Sequence, residues 1–273
     1  MFLGNPFSSN HPNPKCANRF LLVGVVLFTT VMLLCTRLNA QIVNIEEIRI
    51  RGTNDTSKWY GNIKMAVNLN KVQEISLLMR SEARVQYKSK RHLALGIWNT
   101  DLVRAGNEDF KNYAFAHLRY NFEIRDGFTW EAYGQIQTNK LLYIQSRTLA
   151  GSGPRIRMFK SKNGKNRIYL GASAMYENND FIEANPTESF VRLSSYLSFT
   201  FRPKNVEISA TTYFQPTANY LNNYRLSTEW QFAIPFNKHL ALLIEFDYSI
   251  DRGLPAQAPM EIYAFRNGIS WTF

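Results

Sequence analysis

Cysteine is almost missing from this chain. Its 273 residues include two, Cys16 and Cys35. Both fall within the first 40 residues, so beyond that point no disulfide and no cysteine-held metal can form. A thiol-free polypeptide suits passage, unfolded, through an oxidising compartment. Histidine is scarce too: only His92, His117 and His239 follow residue 40. None of them stands at a metal-ligand spacing with Asp or Glu, and no cofactor is implied. Long apolar runs are confined to Phe20 to Leu34. Lys15 and Arg19 precede that run and Leu38-Asn39-Ala40 follows it, which is the layout of a secretory signal peptide. Residues 1–40 are therefore expected to be a cleaved leader for the general export (Sec) route. An uncleaved anchor helix is the alternative, but the run is short for a membrane span. Leu34 is too bulky for the position before a lipoprotein cysteine.

The formal charge of +11 loses Lys15, Arg19 and Arg37 with the leader and falls to +8. A basic balance fits nucleic acid in principle. A secreted chain rarely meets it, so no nucleic-acid partner is expected. After the leader no apolar run approaches a helical span, and any membrane crossing there has to be made by strands.

What the chain does have is alternation. Residues 41–58 hold one short alternating piece and a polar stretch, read as a periplasmic arm or plug segment. From Trp59 a period of two sets in. Ala114, Ala116, Leu118, Tyr120 and Phe122 oppose His117, Arg119, Asn121 and Glu123; Phe128, Trp130, Ala132 and Ile136 oppose Glu131, Gln135 and Gln137. The next segment sets Gln145, Arg147, Gly151, Gly153, Arg155 and Arg157 on one face. That face cannot meet lipid, because each Arg near a bilayer midplane costs roughly 2 to 4 kcal/mol. Later segments place Arg192, Ser194, Tyr196, Ser198, Glu207, Thr211, Gln215, Arg225, Glu229, Glu245 and Asp247 on the same side.

About twelve strands result, each near the ~9 to 11 residues that a tilted membrane strand needs. The expected fold is all-β: a closed antiparallel transmembrane β-barrel over residues 59–273. The turns Lys88–Lys90, Arg125–Gly127, Lys160–Asn166, Arg202–Lys204 and Asn237–Lys238 are expected at one end, short and basic. The connections near 105–109, 179–187, 218–222 and 252–260 are expected at the other end, mostly longer and more acidic. Pro203, Pro216, Pro235 and Pro255 lie at or near strand ends, where a missing N–H is tolerable. A soluble lipid-binding barrel or β-sandwich is the alternative fold, but a soluble barrel of this size would place apolar residues inside rather than out.

The final stretch, Glu261 to Phe273, carries Tyr263, Phe265, Ile269, Trp271 and Phe273 on one parity. An aromatic strand ending on Phe273 looks like the C-terminal insertion signal of outer-membrane barrels. Barrel-assembly machinery, periplasmic chaperones, outer-membrane lipid and lipopolysaccharide are the partners this implies.

Glu131, Gln135, Arg147, Arg155, Arg157, Arg192, Glu207 and Glu229 are expected on neighbouring inner faces, where opposite charges can pair across strands and Gly151 and Gly153 leave room for Arg side chains. Such a cluster either closes the lumen by ion pairs or lines a narrow path for ions or polar solutes. Gly151-Ser152-Gly153 is no phosphate loop, since no helix pattern follows it. A lipid hydrolase would need His117 beside a serine, and no motif supplies one. No enzyme activity is expected.

The run EAYGQIQTNKLLYIQSRTLAGSGPRIR from Glu131 to Arg157, with Tyr176-Glu177, Arg192-Leu193-Ser194 and Tyr213-Phe214-Gln215-Pro216, resembles the outer-membrane family typified by the salt-induced outer membrane protein. The leader and residues 41–58 are less covered. The resemblance implies an outer-membrane barrel with no settled activity and a connection to salt or acid stress.

Overall fold

The computed structural model describes residues 58–71, 75–106, 108–182, 187–204, 206–237 and 239–271. The expected leader, the arm up to residue 57, and Thr272 and Phe273 lie outside them. Twelve strands follow in chain order: β1 (Lys58–Lys71), β2 (Ile75–Ser89), β3 (His92–Ala105), β4 (Glu108–Arg125), β5 (Phe128–Asn139), β6 (Ile144–Lys160), β7 (Arg167–Phe181), β8 (Glu188–Phe201), β9 (Glu207–Pro216), β10 (Tyr224–Pro235), β11 (Leu240–Asp251) and β12 (Glu261–Trp271). Each pairs antiparallel with its neighbour in sequence, in the order β1 to β12. Among the described residues no helix is long and apolar enough to cross a membrane.

β4 and β7 run longer than their pattern suggests, β4 reaching 18 residues and β7 15. The ladder hydrogen bonds continue past the apolar stretch. Ala105 pairs with Glu108, so the expected loop at 105–109 shrinks to a tight connection. At the opposite end Asp126-Gly127 joins β4 to β5, and the positive φ of Gly127, 78°, is one that glycine adopts without strain.

The two faces are inverted relative to a soluble barrel. His117, Arg119 and Asn121 on β4 are buried, as are Arg192, Ser194 and Ser198 on β8. The residues between them, including Leu118, Tyr120, Leu193 and Leu197, are exposed. A small apolar patch of Leu95, Ile97, Tyr113 and Phe115 sits on the otherwise polar concave face. One expected inward residue moves. A register shift between Ile144 and Ser146 leaves Gln145 exposed and turns Ile144 inward, as a bulge does when it adds one residue to a strand.

Pro154 stands in the middle of β6, where it lacks a ladder N–H. The β6–β7 bridges run from Ser152–Ala174 to Arg155–Gly171. At Gly153 the two backbones come close: a Cβ there would lie 2.1 Å from the Ala172 carbonyl oxygen and 2.5 Å from Ser173 Cα. Backbone cannot yield as a side-chain tip can. Gly153→Ala is therefore expected to lower unfolding stability by about 1 to 3 kcal/mol, read as a lower urea midpoint of the folded protein. An unchanged midpoint would mean that the strands do not approach so closely.

Candidate functional site: ion pairs across the concave face

Alternation delivers arginines to the concave face, and the curl of the sheet decides which acids they meet. Glu177 on β7 is fully buried and central. Its Oε1 accepts from Arg225 Nη2 at 3.1 Å and from Asn179 Nδ2 at 3.0 Å. Arg192 Nε lies 3.4 Å and Arg147 Nε 3.6 Å from the same oxygen. Asp251, the last residue of β11, has its Oδ2 3.0 Å from Arg225 Nε and 3.2 Å from Arg147 Nη2. Arg147 Nε donates to Asn179 Oδ1 at 2.7 Å. Arg192 donates to the carbonyls of Gln215 (2.9 Å) and Asn223 (3.2 Å) and to Asn223 Oδ1 (3.1 Å).

The consequence lies in the strand order. β6 and β11 stand five places apart in the sheet, and β7 and β10 three. Contacts of 3.1 to 3.2 Å between them cross the concave space.

A second cluster lies nearer the short-turn end. Glu131 Oε2 accepts from Arg119 Nη1 at 3.0 Å and from Tyr196 Oη at 2.7 Å. Arg155 Nε is 3.8 Å from Glu131 Oε1, and its guanidinium lies 3.6 Å over the Tyr169 ring. Gly171 makes this possible, since a Cβ there would stand 2.1 Å from the Tyr196 ring. A third group joins Arg266 of β12 to Glu245, at 2.8 Å, and to Asp247.

The eight residues singled out by parity thus separate. Glu131 and Arg155 share one cluster, and Arg147 and Arg192 the other. Gln135 accepts from or donates to neither: it faces His117 Nδ1 at 3.2 Å and donates to Gln137 at 2.9 Å. Arg157 reaches the turn and binds Asp126, whose carboxyl it holds below the usual range, first through that hydrogen bond. Glu207 pairs with Arg202 at 2.8 Å beside the β8–β9 turn. Glu229 lies in register between Thr211 and Asp247. Parity alone did not mark Glu177 and Asp251 as the central acids. The quoted Tyr176-Glu177 motif was the one available signal for the first.

Of the expected insertion-signal residues, Tyr263, Phe265 and Ile269 stand opposite Tyr248, Phe246 and Leu242, and Trp271 opposite Leu240. His117 lies between Phe115 and Tyr133 in a row of stacked rings, centroids 6.0 and 6.1 Å away. Its nitrogens face Gln135 Oε1 and Arg119 Nε. Among the described residues no group of three or more His, Cys, Asp or Glu side chains could hold a metal ion. Between the ring row and the Arg147–Arg225–Asp251 wall lies a cavity of about 160 Å³.

Strand number, pairing and an inverted face pattern define a twelve-stranded antiparallel all-β protein with a polar, ion-paired concave side. Residues 50–260 match the family described as "Protein of unknown function, DUF481", and the chain belongs to that family. No curated protein matches it in sequence. Among solved structures it is similar to a NanC porin (11% identity, 77% of this chain and 99% of that one, TM-score 0.45). It is also similar to a bacterial polysaccharide outer membrane secretin (10%, 79% and 90%, TM-score 0.41) and to the translocator domain of the autotransporter NalP from Neisseria meningitidis (10%, 84% and 95%, TM-score 0.37).

Glu177 neutralises part of three guanidinium groups, and Asp251 reaches only two of them, Arg147 and Arg225. Glu177→Gln is expected to destabilise the folded protein by about 3 to 5 kcal/mol, the usual cost of breaking a buried pair. Asp126→Asn, at an exposed turn, is expected to leave the urea midpoint where it was. Equal effects from the two would contradict the burial described.

Proposed function

We propose that the protein is an integral outer-membrane β-barrel whose lumen is shut by ion pairs, so that it is no open pore at rest. The observation that carries this is the contact of β6 with β11 through Arg147 and Asp251 at 3.2 Å. Guanidinium and carboxylate groups from opposite walls occupy the space through which a solute would pass. Membrane residence rests on the outward face, where Leu118, Ile136, Leu193 and Leu197 are each about half exposed or more. In water such a surface would aggregate; in hydrocarbon it is solvated.

A lipid-embedded sheet cannot leave edges unpaired. We therefore take β1 and β12, the two ends of the strand order, to join in the bilayer. The start of β1 and the end of β12 then lie on the periplasmic side, and the connections at 140–143, 217–223 and 252–260 face outward. Tyr263, Phe265, Ile269, Trp271 and Phe273 would be read by the assembly machinery. A role in envelope stress follows from the resemblance to the salt-induced family, and loss of growth at high salt in a deletion strain would support it. We read the barrel as non-enzymatic, because His117 is engaged by Gln135 and Arg119.

Planar-bilayer recording tests the closure. The folded wild type is expected to be electrically silent or nearly so, and Arg147→Ser with Asp251→Ser, which removes one link across the lumen, is expected to give discrete steps. Large regular steps from the wild type would overturn the reading in favour of a channel for small ions or polar solutes.

A further inference from the structure

The ion pairs leave one space unfilled, at the loop end of the barrel. Its outer lip is apolar, formed by Leu141 before β6 and by Leu254 and Met260 of the β11–β12 connection. One wall is the row of rings Tyr113, Phe115, His117 and Tyr133, all from β4 and β5, with adjacent centroids 6.0 to 6.4 Å apart. The facing wall holds Arg147, Arg225 and Asp251. Between the walls stand the amides of Gln135 and Gln137 and the hydroxyls of Ser173, Ser194, Ser227 and Ser249.

Two features point to an occupant rather than to mere imperfect packing. The Tyr113 hydroxyl and Arg147 Nη2 are both buried with no hydrogen-bond partner among the described residues, and both residues line the cavity. The Asp251 oxygen 3.2 Å from Nη2 lies off the donor direction. Buried donors left in this state are destabilising unless something fills the space. The ring row and Arg147 are linked by register: Phe115, Gln137 and Arg147 share one row across β4, β5 and β6. At about 4.8 Å per strand, the ring wall and the Arg147 backbone are about 10 Å apart.

The charge is not balanced either. Arg147, Arg192 and Arg225 share two carboxylates, Glu177 and Asp251, which leaves one positive charge over beside the cavity.

We propose that this cavity binds a single acidic sugar, a pyranose ring carrying a carboxylate, entering from the loop end. The C–H face of the ring would lie on the aromatic row, the ring hydroxyls would meet the amides and serines, and the carboxylate would face Arg147. An aromatic acid fits less well, because it would stack but leave that many polar groups desolvated and unpaired. A neutral sugar would leave the extra positive charge unanswered. The cavity has room for one such ring. The proposal rests on the barrel reading above for the side of entry.

The test is calorimetric titration of the full, detergent-folded protein with D-glucuronate, D-glucose and benzoate. Glucuronate is expected to bind at least tenfold more tightly than either of the others. Phe115→Leu, which removes one ring and no hydrogen bond, is expected to weaken glucuronate binding about tenfold while the heat-shifted gel mobility of the folded barrel persists. Tyr113→Phe, removing only the unpartnered hydroxyl, is expected to weaken it less and to leave folding intact. No glucuronate binding by a folded barrel, or benzoate binding as tightly, overturns the proposal. Conductance recorded without sugar reads the closure alone: a silent barrel that binds nothing sinks only this site, and a conducting barrel that binds glucuronate sinks only the closure.

Discussion

A guanidinium group removed from water is tolerable only beside carboxylates and hydrogen-bond acceptors. Arg119, Arg147, Arg155, Arg192 and Arg225 all point to the concave face, and the first four are among its most buried residues. That side therefore has to supply acids at the right height. Glu131, Glu177 and Asp251 do so, and Asn179, Asn223 and Tyr196 complete their shells. Put on the outer face, the same arginines would each cost roughly 2 to 4 kcal/mol in a bilayer. The polar-in, apolar-out alternation is thus a consequence of where these charges can be held.

Once the charges are inside, geometry follows from them. Residues on β6 and β11 touch only if the sheet curls strongly, so the Arg147–Asp251 contact and the curvature support each other. The side chains that bridge are bulky, and backbone has to give way around them. Gly171 leaves room for the Tyr196 ring that holds Glu131, and Gly153 lets β6 and β7 approach where Pro154 interrupts the ladder. Near the loop end the rings of β4 and β5 face arginines rather than other rings, and the space between them stays unfilled.

Strand number and face assignment were legible in the sequence because both follow from a period of two. A residue such as Arg192 can be placed inward from its neighbours Val191 and Leu193 alone. Strand ends were less legible: hydrogen bonding carries β4 and β7 past the ends their pattern suggests, to Glu108 and Phe181. Gln145 was misplaced by a register shift that alternation cannot announce. The clusters were half legible. Arg147 and Arg192 were expected to find partners, but their acids lie on β7 and β11, and which strands meet across the concave side depends on curvature. Arg157 and Glu207 share the inward parity, yet both stand near the short-turn end, where they pair with Asp126 and Arg202.

The most direct test of cross-lumen pairing is a double-mutant cycle between Glu177→Gln and Arg225→Met, with unfolding free energies measured in urea in lipid vesicles. Residues in contact couple by about 0.5 to 3 kcal/mol. With Arg225 Nη2 at 3.1 Å from Glu177 Oε1, coupling in the upper half of that range is expected, and the double variant should be less destabilised than the sum of the single ones. Strict additivity would mean that the two walls do not meet, and the closed lumen would have to be given up.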